Sequence, residues 1–121
     1  MTDKQKGYLG EEIAAEHLRS KGYEILDLNY TIKGGELDIV ARDGETLVFV
    51  EVKARTGTEY LAAEAVDRRK CERLIKSAEK YVLDKSEIAS DMKARFDYIE
   101  IYFGTDKNSA PTVNHYKNII Y

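Results

Sequence analysis

GELDIVARDGETLVFVEVKAR, residues 35–55, reads as two strands and the turn between them. Asp43-Gly44 is a strong hairpin signal, and the apolar residues on either side recur with the two-residue period of a strand. A two-residue turn there sets Arg42 against Glu45, Val40 against Leu47, Asp38 against Phe49 and Glu36 against Glu51. The shared face is then apolar at Val40, Leu47 and Phe49 and ionic beyond, where Glu36, Asp38, Glu51, Lys53 and Arg55 gather. The opposite face of the second strand, Val48, Val50, Val52 and Ala54, is wholly apolar and must meet a core.

Upstream, Ile13, Ala14, His17 and Leu18 lie on one face of a helix over about residues 4–21, and Gly22 stops it. Residues 23–32 read as a strand that ends at the Lys33-Gly34-Gly35 turn. Downstream, residues 56–63 lack periodicity and read as a loop. Residues 64–83 return to helical spacing with Cys71, Leu74, Ile75, Ala78 and Val82 on one stripe, followed by a polar stretch over 84–92. Strands over 95–103 and 113–121 follow, with a turn at 104–111 between them. The order α-β-β-β-α-β-β predicts one α/β domain over residues 1–121, a central mixed β-sheet flanked by helices.

Composition agrees with a single domain and narrows the function classes. The chain has 121 residues, 43% of them hydrophobic, and 19 Lys and Arg against 22 Asp and Glu give a net charge of −3. A mildly acidic total speaks against coating nucleic acid by bulk charge and leaves local patches to decide. Cys71 is the sole cysteine, so no intrachain disulfide forms and the expected compartment is the reducing cytoplasm. The apolar run at Leu47–Val50 is far too short to span a bilayer, and Met1 to Lys6 lead into no secretory core, so no membrane partner is expected.

Three carboxylates and a lysine at one end of a hairpin repel or strain one another unless something compensates. A divalent cation does so: Asp38 and Glu51 offer hard oxygen ligands suited to Mg²⁺ or Mn²⁺. Lys53, two residues beyond Glu51 on the same face, could orient the attacking water and stabilise charge on a phosphate. The bland alternative is a set of exposed ion pairs among Lys53, Glu51 and Glu36, each worth little. Glu11, at the edge of the first helix's apolar stripe, can approach the sheet, or can simply favour the helix dipole.

On the second helix Arg69, Arg73, Lys76 and Lys80 form a basic stripe that could track phosphates together with Arg55, or could be only the solvated face. Lys70, beside the core stripe, is better placed to face a site. One cysteine and two distant histidines, His17 and His115, cannot make a structural zinc site, and Cys71 is expected to pack as a small apolar residue.

Gly10-Glu11, Asn29-Tyr30, Gly35-Glu36-Leu37-Asp38, Val50-Glu51-Val52-Lys53-Ala54-Arg55, Ala65-Val66-Asp67, Lys70 and Arg95-Phe96-Asp97 occur in that order. In this the chain resembles the bacterial YraN family of uncharacterised proteins. That family is similar to archaeal Holliday-junction resolvases and to the restriction-endonuclease-like PD-(D/E)xK nucleases. The resemblance implies a restriction-endonuclease-like fold, with Asp38 and Glu51 as metal ligands, the Val52 carbonyl as a further ligand and Lys53 as the catalytic lysine. It makes Glu11 the helix-borne acid that assists the metal, and leaves Glu36 without a settled role. Leu37 stands in place of the superfamily's proline, and Thr31 where many relatives have arginine.

The resulting expectation is a Mg²⁺- or Mn²⁺-dependent endonuclease-fold protein that hydrolyses phosphodiesters in DNA, with branched or damaged structures as candidate substrates. Asp38, Glu51, Lys53 and Glu11 are its catalytic candidates; Arg55, Lys70, Arg69 and Arg73 are its nucleic-acid contacts. Resolvase-like relatives pair to cut two strands, which makes a homodimer the candidate assembly. Two other readings stay open: a catalytically silent nucleic-acid-binding module, and a small protein-interaction adaptor that uses a strand edge.

Overall fold

The computed structural model describes residues 2–56, 67–104 and 109–120. Helix α1 (Asp3–Ser20) opens on a capping box: the Thr2 hydroxyl accepts from the Gln5 backbone N–H, and the Gln5 side chain accepts from that of Thr2. Three strands follow, β1 (Glu24–Ile32), β2 (Gly35–Asp43) and β3 (Thr46–Thr56). Helix α2 (Arg68–Asp84) begins at Asp67, whose carboxylate accepts from the Lys70 backbone N–H. A short helix α3 (Ser86–Ala89) and strands β4 (Lys93–Phe103) and β5 (Thr112–Tyr116) complete the chain.

The strands form one five-stranded sheet in the order β1-β2-β3-β4-β5. Neighbours are antiparallel except β3 and β4, which run parallel with α2 in the connection between them. This is the expected α/β mixed sheet with flanking helices. On one face Ala14, Ala15 and Leu18 of α1 pack on Ile39, Ala41, Val48 and Val50. On the other, Leu74, Ala78 and Tyr81 of α2 pack on Leu37, Val40, Leu47 and Phe49. Because both faces are covered, Ile39, Val40 and Ala41 are buried in succession.

The hairpin register differs from the one expected. The turn residues are Gly44 (φ 60°) and Glu45, so Asp43 pairs with Thr46, Arg42 with Leu47, Val40 with Phe49 and Ile39 with Val50. A glycine with positive φ at the first central position suits a type II′ turn, whose twist matches its strands. Each pairing is displaced by two residues, which keeps every side chain on its expected face but changes its neighbour. Glu36 pairs with Thr31 of β1 rather than with Glu51, and Asp38 comes alongside the Glu51-Val52 segment.

Other expectations are corrected locally. The buried stripe of α2 is Leu74, Ser77, Ala78 and Tyr81, while Cys71, Ile75 and Val82 are only half-buried. The helix is turned this way because the Tyr81 hydroxyl donates to Asp27 at 2.7 Å and Ser77 packs on Gly35. The polar stretch after α2 contains α3, and Thr56 continues β3 instead of starting a loop. Strand β5 ends at Tyr116: Asn118 takes φ 57° and donates its N–H to Asp97, and Ile119 N–H donates to the Phe96 carbonyl. The expected loop over 57–63, the helix start at 64–66 and residues 105–108 of the later turn lie outside the described residues.

Two glycines set how close the helices come. A Cβ on Gly10 would lie 2.9 Å from Ala54 Cβ, and one on Gly35 would lie 2.8 Å from Ser77 Oγ. Each glycine directly precedes an acid of the ionic cluster, Glu11 or Glu36. Close backbone approach therefore delivers those acids to the open end of the sheet.

Candidate functional site

The ionic side chains converge where β2 and β3 leave their shared ladder. Ligand oxygens of Glu11 from α1 and of Glu36 and Asp38 from β2 lie within 4.8 Å of one another. Asp38 is fixed from the adjacent strand, its Oδ2 accepting from the Val52 N–H at 2.9 Å. Glu51 lies close enough to act on Asp38 electrostatically, and its Oε1 is 3.0 Å from Lys70 Nζ.

The electrostatics match this crowding. Burial, then the charge of Glu51, pushes Asp38 up to about 7, although the Val52 hydrogen bond works the other way. Glu11 is also raised, chiefly by burial, against a hydrogen bond with Asn29. Glu11 Oε2 is buried and has no hydrogen-bond partner among the described residues. An orphaned carboxylate oxygen beside two further acids is a donor set of hard oxygens. It fits Mg²⁺ or Mn²⁺, and a soft-metal site would need the sulfur or imidazole ligands it lacks.

Two clefts flank the acids and share Glu36. The first, of about 310 Å³, has Asp38, Glu51 and Gly35 on the sheet side and Lys70, Arg73 and Ser77 on the α2 side. The second, of about 400 Å³, lies between Lys4, Tyr8 and Glu11 of α1 and Asn29 and Thr31 of β1. Asn29 takes φ 50°, a left-handed conformation that asparagine tolerates better than most side chains.

The expected residues are thus brought together unequally. Glu11 and Asp38 meet, together with Glu36, while Glu51 acts on Asp38 from beside them and is paired to Lys70, and Val52 reaches the cluster through its backbone N–H. Lys53 stands exposed on β3, in register with Glu100, and is on the wall of neither cleft. Lys70 occupies the position facing the acids. Arg73 is an exposed residue on the first cleft's wall, whereas Arg69, Lys76 and Lys80 are exposed on the helix away from that lining. Arg55 is tied to the fully buried Glu100, Nε to Oε2 at 3.3 Å. Cys71 is not a core residue but half-exposed, and His17 and His115 face each other with ring centroids 5.4 Å apart, away from the acidic lining.

Three participants were not assigned a place by the sequence: Glu36, which bridges the clefts, Ser77, which seats α2, and Asn29, which holds Glu11. Glu36 had a usable signal, an exposed strand acid two residues before Asp38. Arg95-Phe96-Asp97 has a structural role here: fully buried Asp97 accepts from Arg95 Nε at 2.9 Å and from the Asn118 N–H at 3.0 Å, and lies 2.8 Å from His115 Nε2.

No helix of the described residues is long and apolar enough to cross a membrane. The profile of the uncharacterised protein family UPF0102 matches residues 10–101. A UPF0102 protein of Pelotomaculum thermopropionicum is 43% identical over 121 residues, 98% of each chain. One of Caldanaerobacter subterraneus subsp. tengcongensis is 40% identical over 95% of this chain and 93% of its own. A third, of Frankia casuarinae, is 47% identical over 77% of this chain and 78% of its own.

Proposed function

The chain belongs to the UPF0102 family, the YraN family its motifs resemble, and from that premise we propose a Mg²⁺- or Mn²⁺-dependent nuclease that hydrolyses phosphodiesters in DNA. The observation that carries this reading is the meeting of Glu11, Glu36 and Asp38 within 4.8 Å, with Glu36 and Asp38 lining a cleft that also holds Glu51, Lys70 and Arg73. Acids that repel each other need a cation, and cationic side chains on the facing wall need an anion. A phosphodiester with a divalent ion satisfies both.

Asp38, Glu11 and Glu36 would hold the ion, with Glu51 joining them once it parts from Lys70. When bound, such an ion acidifies a water and withdraws charge from a phosphate oxygen. Lys70 then faces the phosphate, where its ammonium offsets charge that builds as the bond to the leaving oxygen breaks. Arg73, farther out on the same wall, pairs with a neighbouring phosphate of the strand. The role the resemblance gives Lys53 passes to Lys70 in this reading, because Lys70 is the lysine beside Glu51.

The test is cleavage of single-stranded, duplex, flapped and four-way-junction DNA with Mg²⁺ or Mn²⁺ by wild type, Asp38→Asn and Lys70→Ala. Cutting by wild type that both variants lose supports the assignment. Absence of any metal-dependent cutting by wild type removes it in favour of a binding module without turnover, the second reading, which the exposed position of Lys53 favours. Sedimentation with and without DNA would show whether two copies assemble on it.

A further inference from the structure

Helix α1 buries its C-terminal half through Ala14, Ala15 and Leu18, but the residues that continue this side toward its start are Lys4, Gly7, Tyr8 and Glu11. Their spacing of three and four residues keeps them on one face. That face forms a wall of the second cleft, across from Asn29 and Thr31 of β1. Tyr8 is 55% exposed there, so a face of its ring is open to a ligand in the cleft. A Cβ on Gly7 would meet nothing within 4 Å, so the helix side of the cleft is open at that residue.

The cleft's position matters as much as its lining. Glu36 belongs to both clefts and Glu11 to the second, so the second cleft begins at the carboxylate cluster and leads away from Lys70 and Arg73. A polynucleotide with its reacting phosphate at the acids has to continue on both sides. The first cleft supplies cations for one direction; the second supplies an open ring, the Lys4 ammonium, and the polar side chains of Asn29 and Thr31. At about 400 Å³ it is within the range that takes a small ligand and too small for a double helix.

We infer that the second cleft is a subsite for one unpaired nucleotide next to the reacting phosphate, its base stacked on Tyr8 and its backbone near Lys4. A base within a duplex has its faces covered by its neighbours; only an unpaired base offers one to an aromatic side chain. The inference rests on the proposed nuclease reading and adds to it a requirement for unpaired substrate at that point. Asn29 serves as a positioning residue, its left-handed backbone placing the side chain that holds Glu11 at the mouth of the subsite.

The experiment uses a short single strand with 2-aminopurine at one position, the same strand in a full duplex, and a flapped duplex with the probe unpaired. Binding by anisotropy and stacking by fluorescence quenching are read for wild type, Tyr8→Phe and Tyr8→Ala, with and without Mn²⁺. The expected result is quenching with the unpaired probes in wild type and Tyr8→Phe. Tyr8→Ala should lose the quench and about tenfold in affinity for the unpaired forms, the size of one lost stack, while duplex affinity stays unchanged. Nucleic acid bound by wild type and Tyr8→Ala with equal affinity and equal quenching overturns the subsite and leaves the nuclease reading intact. Wild type that binds none of the three overturns both. Tyr8 is exposed, and matching melting temperatures of the variants exclude misfolding as the cause of a loss.

Discussion

Lys70 Nζ sits 3.0 Å from Glu51 Oε1, so the cation nearest the acidic cluster is a side chain of the protein itself. On the proposed reading an incoming divalent ion competes with that ammonium for Glu51. Replacing Lys70 with methionine removes the competitor while preserving the side chain's bulk. Mn²⁺ affinity measured by calorimetry should therefore rise several-fold, while metal-dependent cleavage falls at least tenfold. Both quantities falling together would mean that Lys70 merely supports the fold.

Asp38 makes stability depend on pH with an unusual sign. Its folded-state value of about 7 lies above the unfolded carboxylate value of 3.8, so between those limits the folded chain binds the extra proton. The fold therefore has its full stability from this group below about pH 4 and loses it as pH rises through 7, by roughly 3–5 kcal/mol if Asp38 titrated alone. Asp38→Asn should melt higher than wild type at pH 8, and the gap should narrow at pH 5. Mg²⁺ should raise the wild-type melting temperature at pH 8 more than that of the variant. Equal melting curves at pH 8 without metal would refute the crowding of these acids.

Gly10 and Gly35 should not respond alike to alanine. At Gly10 the new methyl meets Ala54 Cβ, which is fixed to the backbone of a central strand, whereas at Gly35 it meets Ser77 Oγ, which can rotate. Gly10→Ala should cost about 1–3 kcal/mol in urea denaturation, reduced by whatever helix propensity it gains. Ala54→Gly should restore much of that loss in the double variant. Gly35→Ala should cost less, and combining it with Ser77→Ala should bring little further loss. A Gly10→Ala chain as stable as wild type would contradict the close approach.

Arg95 is the main cation on the fully buried carboxylate of Asp97, donating to both of its oxygens, and His115 shares Oδ2. Burial works to raise Asp97, but the hydrogen bonds with His115 and Arg95 outweigh it and leave the acid below its ordinary value. Arg95→Met strands that charge and should destabilise the fold by about 3–5 kcal/mol. The variant Arg95→Met/Asp97→Asn should recover part of the loss. Denaturation midpoints of the pair test this, and a single variant within 1 kcal/mol of wild type would refute it.

The strand alternation in residues 35–55 made the hairpin and its apolar and ionic faces legible in the sequence. Its exact register was not, because Asp43-Gly44 and Gly44-Glu45 both make two-residue turns and differ by a step that keeps every face the same. Asp38, Glu51 and Glu11 could be nominated from residue type and spacing. That Lys70 lies beside Glu51 while Lys53 lines neither cleft could not: it depends on how α2 is rotated, which Tyr81 settles through Asp27 and Ser77 through Gly35. Periodicity favoured Cys71 and Ile75 for the buried stripe because a serine and a tyrosine count weakly as core residues. Asn29 stood out in the sequence only within Asn29-Tyr30, and its hydrogen bond with Glu11 needs the fold to bring α1 and β1 together.

The parallel pairing of β3 with β4 has a consequence for the order of assembly. Strands β1, β2 and β3 are joined by tight turns and can zip locally, while β4 must wait for a long connection to close, and such non-local pairings form slowly. Glu36, Asp38 and Glu51 belong to the early part, and Lys70 arrives with the late one. A refolding molecule thus gathers its negative charges before their counter-charge is at hand. Stopped-flow refolding should quicken in Mg²⁺ and lose that response in Asp38→Asn. On the proposed reading the ion would then act as a nursery for the sheet, of use to the forming chain before any chemistry begins.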